Sequence, residues 1–488
     1  MSEKIVQKII INVPVHTLSP LRIASGMDDG LVDVLVLKNK QGKPFIPGTS
    51  ITGVLRNEIV ALYNEEVADK IFGNIDDEVA DKVFGNIDDE AGNQSMINIS
   101  DVILSDAILI HRDGVAIDTF AGVGKTGAKY DYEGIDRGAE GELKIEFTVR
   151  ELDFLKEFAN VSKHNAFSQV KEQYIDVAAS VADLLTKGIK IGSLTAKGYG
   201  KFASMKPVEI SVFDFANRAA ADAWLKYLEN GKVPKPVYVG KASFIQAKAV
   251  NDLELTIDFS LQSSMIIRDF ETAKEIKQKP KNAKQPSVGL EAVQLKSGND
   301  YVIPGTSIKG VLRNRAKKIL TALYNGEEGK ADEIINKLMG FAHKNSACRS
   351  RLSVDEVYIA TDLLKNVKQT RNRINRFTGG TIDSALFAEE PVWQQNKNAA
   401  PIQMNVKISD CSKMEAGLIM LVLKDMWLGN VPIGGGKSVG RGVLLGSSCT
   451  LSYAGEIIKL GKCGLPDVKE HRDVLEGYVH ELVVKCNE

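Results

Sequence analysis

Three stretches of the chain, 143–149, 253–261 and 402–408, alternate apolar and polar residues with a period of two. In 253–261, for example, Leu, Leu, Ile, Phe and Leu are separated by Glu, Thr, Asp and Ser. Successive side chains of a strand point to opposite faces of its sheet. Each stretch therefore predicts a strand with one buried and one hydrated face.

Elsewhere the apolar period becomes that of a helix. Residues 51–62 carry apolar side chains at helical spacing, and Thr49 or Ser50 would cap this helix at its N-terminus. Residues 216–228 predict a second, amphipathic helix. The order strand, helix, strands, helix, strand predicts an α+β fold with an antiparallel sheet, as in ferredoxin-like domains.

The chain also contains an internal repeat. Residues 46–51, Ile-Pro-Gly-Thr-Ser-Ile, recur at 303–308, an offset of 257 (303 minus 46), and both copies continue into Gly-Val-Leu-Arg-Asn. Further matches follow in the same order: 95–102 with 350–357, 117–122 with 374–379, and 191–192 with 433–434. Four matches in one order indicate two copies of one domain.

The repeat sets the expected domain boundaries. We predict a first domain over residues 1–215, a helix and linker over 216–245, a second domain over 246–460 and a C-terminal tail over 461–488. The linker contains Gly-Lys-Val-Pro-Lys-Pro, a composition typical of connecting segments. The tail carries no repeat signal.

Composition narrows the class of protein. A net charge of -1 excludes a globally basic nucleic-acid binder but leaves room for local basic faces. The five cysteines have no paired spacing, which argues against a disulfide scaffold or a zinc site and favours a reducing, cytoplasmic location. The N-terminus lacks the apolar core of a signal peptide, and no apolar run has membrane-spanning length.

The two Pro-Gly-Thr-Ser turns are candidate phosphate sites. A turn that leads directly into a helix offers backbone N–H groups, here with the hydroxyls of Thr49, Ser50, Thr306 and Ser307. Arg56 and Arg313 follow at matching positions. The second helix has five cations within ten residues, a candidate phosphate track: Lys309, Arg313, Arg315, Lys317 and Lys318. An ordinary capped helix with a hydrated basic face explains the same pattern.

Two late glycine-rich loops are a second candidate. Successive glycines let backbone amides approach a phosphate, and interleaved cations add charge. The residues singled out here are Lys197 and Lys201 in the first copy and Gly435, Lys437 and Arg441 in the second. A tight turn between packed strands is the alternative.

Residues 112–133 and 370–390 predict long hairpins in which aromatic residues stand beside cations. Arg373 and Arg376 flank Phe377, and such pairs can stack on bases and hold phosphates. The alternative is a hairpin whose aromatic side chains pack on the sheet.

One acid stands out before the first Pro-Gly-Thr-Ser turn. Asp33 follows a short segment rich in Asp and Gly and precedes the apolar run 34–37. A carboxylate there can act as a general base or hold a divalent cation. On spacing alone, an ordinary surface acid explains Asp33 as well.

Taken together, these motifs resemble the RAMP superfamily of CRISPR proteins. The resemblance rests on Ile-Pro-Gly-Thr-Ser-Ile-x-Gly-Val-Leu-Arg, on Val-Phe-Gly at 83–85 followed by 95–101, on Gly-Val-Ala-Ile-Asp at 114–118, and on the glycine loops. Their order is that of the Cas-seven-like backbone subunits of type III effectors. A tandem fusion of two such subunits resembles subtype III-D.

The resemblance implies two tandem RRM-like, ferredoxin-like domains, each with an antiparallel-sheet palm and a thumb hairpin. It implies binding of a guide CRISPR RNA and a target RNA, together with a large polymerase-like subunit and further backbone and small subunits. Asp33 matches the loop aspartate that promotes cleavage of the target RNA with Mg²⁺ or another divalent cation. The implied protein is a metal-dependent endoribonuclease that works within the complex and leaves a cyclic phosphate and a 5′-hydroxyl.

The second copy departs from this pattern. An offset of 258 places Glu291 opposite Asp33, an offset of 257 places Leu290 there, and Asp269 is another acid in the preceding loop. The second copy can therefore cleave RNA slowly, not cleave it at all, or cleave it through a carboxylate at a shifted position. A guide-RNA-binding scaffold without catalysis is the main alternative. A hairpin-processing nuclease is disfavoured, because none of the six histidines recurs in both copies.

Overall fold

The computed structural model describes residues 4–26, 32–73, 95–151, 163–231, 251–278, 290–343, 346–383, 385–396, 399–461 and 466–487. As far as they are described, the residues form two compact units. Unit one comprises Met1–Asp113, Tyr130–Thr195 and Tyr199–Ala249. Unit two comprises Gly114–Lys129, Ala196–Gly198 and Val250–Glu488.

The elements up to residue 231 include eleven strands and four helices among the described residues. The strands are β1 (Ile5–Thr17), β2 (Phe45–Ile46), β3 (Ile97–Ile99), β4 (Val102–Ile103), β5 (Leu109–Ile117), β6 (Gly124–Ile135), β7 (Glu140–Arg150), β8 (Ile189–Lys190), β9 (Lys197–Gly198), β10 (Lys201–Ser204) and β11 (Ile210–Asp214). The helices are α1 (Gly48–Leu62), α2 (Glu65–Phe72), α3 (Lys163–Lys187) and α4 (Arg218–Asn230).

The main sheet of unit one has the order β3-β7-β1-β10-β8, and β11 also pairs with β1. The long β1 lies antiparallel to β7, β10 and β11. Ile9, Ile11, Val13 and Val15 of β1 alternate into the core, where residues of α1 and α3 also pack. This is the strand order of a ferredoxin-like domain, so the predicted α+β antiparallel fold is confirmed for unit one.

The elements after residue 251 complete unit two. The strands are β12 (Leu253–Leu261), β13 (Arg268–Asp269), β14 (Leu290–Gln294), β15 (Lys296–Ser297), β16 (Asp300–Ile303), β17 (Phe341–His343), β18 (Ser346–Cys348), β19 (Leu352–Asp355), β20 (Val357–Ile359), β21 (Leu364–Asn366), β22 (Gln369–Arg371), β23 (Phe387–Glu390), β24 (Val392–Gln394), β25 (Ile402–Ile408), β26 (Leu444–Tyr453) and β27 (Glu456–Leu460). The helices are α5 (Phe270–Gln278), α6 (Gly305–Leu323), α7 (Glu328–Met339), α8 (Lys413–Trp427) and α9 (Pro466–Asn487), with a 3-10 turn at Lys437–Val439.

The main sheet of unit two has the order β27-β26-β12-β25-β19-β9. Its central four strands repeat the order seen in unit one, with β12 in the place of β1. The strand predicted over 253–261 forms with those bounds, because its five apolar side chains all face the core. The short β9 adds to the edge of this sheet, parallel to β19.

The predicted N-cap of the first helix is wrong. Helix α1 begins at Gly48 with Pro47 as its cap, so Thr49 and Ser50 lie inside the first turn. Pro47 is extended and fixes the entry of the chain, and a Cβ on Gly48 would lie 2.1 Å from the carbonyl oxygen of Ile99. Helix α6 begins in the same way, at Gly305 after Pro304.

The segment predicted as a C-terminal tail contains a helix of unit two. Helix α9 lies against α8 so closely that a Cβ on Gly417 would be 2.2 Å from the carbonyl oxygen of Tyr478. The ring of Tyr478 also meets that of Tyr453 edge-on, with centroids 5.4 Å apart. Within 216–245, α4 is present, and the part of the predicted linker after residue 231 lies outside the described residues. No helix in the described parts of the chain is long and apolar enough to cross a membrane.

Candidate nucleic-acid interface

The carboxylate of Asp33 is exposed and held at the base of the first hairpin. The backbone N–H of Asp33 donates to the carbonyl oxygen of Asp131 (3.1 Å), and the N–H of Asp131 donates to Oδ2 of Asp33 (2.9 Å). The other oxygen, Oδ1, has no hydrogen-bond partner in the described part of the chain. The backbone thus holds one carboxylate oxygen and leaves the other without a hydrogen bond from the described residues.

Strand pairing leaves two residues of the second copy opposite Asp33. In unit one, Val34 pairs in parallel with Tyr132, and in unit two Ala292 pairs in parallel with Glu389, which places Glu291 in the position of Asp33 at an offset of 258. The neighbouring pair, Leu290 with Ala388, places Leu290 there at an offset of 257. The side chain of Glu291 is exposed, and the ladder is irregular at this position.

Asp269, the other acid considered for the second copy, has a structural role. Its Oδ1 accepts from the N–H of Thr272 (3.0 Å) and its Oδ2 from the Thr272 hydroxyl (2.7 Å). These bonds cap the start of α5. Glu291 is therefore the better candidate for a second reactive carboxylate.

A divalent cation was expected at Asp33. In the described part of the chain, no group of three or more His, Cys, Asp or Glu side chains could hold a metal ion. Asp28 and Asp29 lie outside the described residues. Mg²⁺ is often held by one or two protein carboxylates together with other oxygen ligands, and the exposed carboxylate of Asp33 has the chemistry of one such ligand.

The two predicted hairpins are present, and their tips share one turn geometry. In the first tip the N–H groups of Phe120 and Ala121 donate to Oδ1 of Asp118. In the second tip those of Phe377 and Thr378 donate to Oδ1 of Asn375. Arg373 and Arg376 are exposed on the second hairpin, and the Arg376 guanidinium lies 5.0 Å from the ring centre of Phe377.

Beneath each hairpin lies a buried pair of side chains at matching positions, and the two pairs differ in chemistry. In unit one the hydroxyls of Tyr132 and Tyr199 meet at 3.4 Å. In unit two the pair is Glu389 and Arg441, joined by a 2.6 Å bond from Nη1 to Oε2. Arg441 is 1% exposed, so its guanidinium is not available to a phosphate in this conformation.

Two further groups complete the ion pair of unit two. Nη2 of Arg441 donates to Gln369 (2.8 Å), and Nε of Arg268 donates to Glu389 (2.9 Å). Burial by itself raises the pKa of Glu389, but hydrogen bonds from Arg268 and Arg441 outweigh it and hold that pKa below its usual value. Glu389 is therefore charged at neutral pH and ties the glycine loop to the base of the hairpin.

The N-termini of α1 and α6 are more crowded than the sequence indicates. The N–H of Gly48 donates to the Asp101 carboxylate at 2.8 Å, which places an anion at the start of α1. The N–H groups of Ser50 and Ser307 donate to the preceding proline carbonyl oxygens. Of the four hydroxyl residues proposed to bind phosphate, Thr49 is exposed, and Ser50, Thr306 and Ser307 are half-buried.

Most cations of the proposed phosphate track on α6 have protein partners. Lys309 is 6% exposed, and its ammonium donates to the Ser350 hydroxyl and the carbonyl oxygen of Leu352. Arg313 donates to the carbonyl oxygen of Gly340 (3.1 Å) and to the Asn336 side chain, and burial lowers its pKa. A phosphate contact by either cation would require these hydrogen bonds to break.

Three other cations form ion pairs. Lys317 bridges Glu328 (3.2 Å) and Asp332 (2.8 Å), and Arg315 pairs with Asp425 (2.6 Å). In the first copy, Arg56 pairs with Asp69 and lies 3.9 Å from Glu65. These cations are partly neutralised by the protein itself.

The glycine residues of the two loops allow the backbone to approach neighbouring backbone atoms closely. Gly200 and Gly442 have positive φ angles of 83° and 79°, and a Cβ on Gly442 would lie 1.8 Å from the carbonyl oxygen of Ile433. Gly435 donates its N–H to Ile266 (2.8 Å). Lys197 is half-buried in β9, whereas Lys201 is exposed. The turn interpretation therefore explains these glycines.

Two lysines that belong to different candidate motifs, Lys318 and Lys437, lie close enough to interact beside the second glycine loop. Partial desolvation lowers the pKa of Lys437, and the positive charge of nearby Lys318 lowers it further. No carboxylate in the described part of the chain pairs with either lysine. Their proximity could not be read from the sequence, because 119 positions (437 minus 318) separate them.

Comparison with known proteins identifies the family but not the activity. A chain in the cryo-EM structure of the type III-B Cmr-beta complex bound to cognate target RNA matches with 14% identity and a TM-score of 0.28. That match covers 42% of this chain and 61% of the other, so the chain spans less than two thirds of its length. A search of curated proteins finds no match. The family model of the RAMP superfamily matches residues 15–203 and 235–444, more than half of the chain, and the chain therefore belongs to that superfamily.

Proposed function

We propose that this protein is a backbone subunit of a type III CRISPR effector complex that binds guide RNA and cuts target RNA. Membership of the RAMP superfamily supports the first part of the proposal. The position of Asp33 supports the second, because an exposed carboxylate held by backbone hydrogen bonds at a hairpin base suits catalysis on a bound strand.

The proposed reaction is an internal transesterification of RNA. The 2′-hydroxyl of one nucleotide loses its proton and attacks the adjacent phosphorus, and the bond to the 5′-oxygen of the next nucleotide breaks. The products are a 2′,3′-cyclic phosphate and a 5′-hydroxyl. Asp33 acts in this step as a general base or as a cation ligand, through Oδ1, while the N–H of Asp131 holds Oδ2.

A divalent cation fits this site through Asp33 and the phosphate oxygens of the RNA. When bound, it would supply a positive charge that stabilises the negative charge developing on the phosphate. The contribution of the protein is to fix the direction of the carboxylate beside the hairpin.

The proposed RNA contacts are cations that no carboxylate of the described residues pairs with. Lys201, Arg373 and Lys437 are exposed and Lys318 is half-buried, and each can contact a phosphate without breaking such an ion pair. Lys309 and Arg441 instead stabilise the folded protein, because their charged groups are buried and hydrogen bonded.

The second copy is proposed to cut more slowly than the first. Glu291 takes the position of Asp33, but its carboxylate is one methylene further from the backbone. Ala388, which pairs with Leu290, stands at the position of Asp131, so the second copy lacks an acid there. The second copy would then serve mainly to bind RNA.

The test compares binding with cleavage in the purified complex with labelled target RNA and Mg²⁺. We expect Asp33→Asn to bind target as the wild type does and to lose about 10²-fold or more in the rate of one cut. Chelation of divalent cations should abolish cleavage and leave binding. A wild-type complex that binds target but cuts nothing in Mg²⁺ would favour the scaffold alternative instead.

A further inference from the structure

An open cavity of about 480 Å³ lies in unit two, lined by the hairpin β15–β16, by β21 and by the segment that follows β24. Its volume is in the range of small-molecule sites, about 300–1,000 Å³. Apart from Leu364, its lining residues are polar: two lysines, a tyrosine, a threonine and three side-chain amides. An apolar ligand would leave these groups without hydrogen-bond partners, so the cavity suits a hydrophilic ligand.

Two exposed lysines supply positive charge to this cavity. The ammonium of Lys296 lies 4.8 Å from the ring centre of Tyr301, and Lys365 stands on β21. No carboxylate of the described residues pairs with either lysine. A phosphate can therefore bind both ammonium groups without breaking an ion pair.

The hydroxyl of Tyr301 is an unused donor in the same cavity. Tyr301 is 4% exposed, and its hydroxyl makes no hydrogen bond in the described part of the chain. Burial raises the pKa of Tyr301, and the negative charge of Glu390 raises it further, so the hydroxyl is protonated at neutral pH. Buried polar groups are usually hydrogen bonded, and an unpaired one that lines a cavity points to a ligand there.

Amide and hydroxyl side chains complete the lining. Those of Asn299 and Thr361 make no hydrogen bond with the described residues, and Gln395 makes only a long one, 3.4 Å, to the carbonyl oxygen of Leu364. Asn366 donates to the nearby acid Glu390 at 2.8 Å. A side-chain amide presents a donor next to an acceptor, which matches the edge of a nucleobase.

The first copy lacks this set of residues. With the offset of 257 that aligns the Pro-Gly-Thr-Ser turns, Tyr301 corresponds to Pro44 (301 minus 257). With offsets of 255 to 257, Lys365 corresponds to one of residues 108–110, Ile-Leu-Ile. The chemistry of the cavity is therefore separate from the motifs that the two copies share.

We propose that this cavity binds a nucleoside monophosphate, with the phosphate on Lys296 and Lys365 and the base at the amides of Asn299 and Gln395. The Tyr301 hydroxyl donates to an oxygen of the same ligand. The inference is independent of RNA cleavage at Asp33, because every residue that it uses belongs to unit two.

Saturation-transfer NMR on the full chain, freed of RNA, tests the proposal with the four nucleoside 5′-monophosphates as probes. We expect at least one of them to bind with a dissociation constant of about 1 mM or lower. The corresponding nucleoside and inorganic phosphate should each compete at least about tenfold more weakly, because each offers only part of the contacts.

Substitutions assign the binding to the cavity. Lys296→Ala and Lys365→Ala should each raise the dissociation constant about tenfold, and Tyr301→Phe, which removes only the hydroxyl, should raise it by a smaller factor. Lys459→Ala is the matched control, because it removes an exposed lysine from β27 and should leave binding unchanged.

A nucleotide whose ribose has been oxidised by periodate locates the site. One of its aldehydes condenses with a lysine amine, losing water, and cyanoborohydride reduces the imine to a stable amine. We expect the label on Lys296 or Lys365, and an excess of unmodified nucleotide should prevent it.

Three results would overturn the proposal. One is that no nucleotide binds saturably up to about 10 mM, or that inorganic phosphate competes as well as the nucleotide. Another is that Lys296→Ala and Lys365→Ala bind the nucleotide as tightly as the wild type. The third is labelling that RNA prevents and a mononucleotide does not, which would assign the cavity to RNA.

Discussion

At the scale of single residues, the two copies place different chemistry in the same buried position. Tyr132 and Tyr199 meet under the first hairpin, whereas Glu389 and Arg441 form an ion pair under the second. Both pairs join the hairpin base to the glycine loop. The two copies therefore share a side-chain contact at this position but differ in whether it is between tyrosines or between charged groups.

A double-mutant cycle tests this equivalence. Arg441→Tyr alone leaves Glu389 buried with only the half-exposed Arg268, so we expect a loss of about 3 kcal/mol in the free energy of unfolding. Glu389→Tyr alone leaves Arg441 uncompensated and should cost a similar amount. The double variant recreates the tyrosine pair of the first copy and should recover most of the loss in urea unfolding. Simple addition of the two losses would contradict the equivalence.

The lowered pKa of Glu389 gives a pH dependence with a definite sign. A carboxylate whose pKa is lower in the folded than in the unfolded protein stabilises the fold at pH values above its unfolded-state pKa, here near 4.5. This stabilisation is lost as the pH falls through the folded-state pKa. We therefore expect the stability difference between the wild type and Glu389→Gln to be full at neutral pH. It should shrink as the pH falls below about 4.5. A difference that grows on acidification would show the opposite linkage.

The sequence predicts which residues are charged, but not which charges the protein uses for itself. The five cations of α6 form a basic run by spacing alone. Folding turns Lys309 into the core and pairs Lys317 with Glu328 and Asp332 of α7. The partners lie on other elements, so no local pattern reveals them. The proximity of Lys318 to Lys437 could not be read from the sequence for the same reason.

At the scale of elements, backbone packing explains why both copies carry glycines in the loop near their C-terminal end. Gly200 and Gly442 both sit where the loop folds back on Ile191 or Ile433, and the isoleucine N–H bonds to the glycine carbonyl oxygen at 2.9 Å in each. Only glycine combines this close approach with a positive φ. The repeat of glycines thus reflects packing between backbones.

Two alanine substitutions in the second loop separate packing from backbone strain. Gly442→Ala adds a Cβ 1.8 Å from the Ile433 carbonyl oxygen at a φ of 79°, whereas Gly440→Ala has a similar φ of 81° and open space around it. We expect the control to cost about 1–2 kcal/mol for the left-handed backbone. Gly442→Ala should cost at least about 2 kcal/mol more in thermal unfolding. Equal losses would mean that the loop relaxes around the added methyl group.

Strands and helices were predicted best where their pattern is strictly periodic. The strand at 253–261 and the helix that begins near residue 48 form as expected, because burial on one face decides them. The helix start was misjudged because the cap depends on Pro47 and on a contact with Ile99, which is distant in sequence. The tail helix α9 was not predicted, since residues 461–488 carry no repeat signal in the sequence.

At the scale of the whole molecule, the chain is two RAMP regions with one ferredoxin-like strand order and unequal sites. The first has Asp33, held by the backbone of Asp131. The second has Glu291 at an irregular point of the ladder, between the residues that pair with Ala388 and Glu389. The sequence leaves two alignments of this acid open, and the ladder contains one pair in support of each.

The proposed cutting role of Asp33 is tested most directly by mapping every cut in a bound target RNA, with purified complexes that carry Asp33→Asn, Glu291→Gln or both. We expect Asp33→Asn to remove one cut and to leave target binding unchanged. Glu291→Gln should leave that cut intact and affect only a slower one at a different position. An unchanged map with Asp33→Asn, in a complex that binds and cuts the target normally, would contradict the proposed role of this carboxylate.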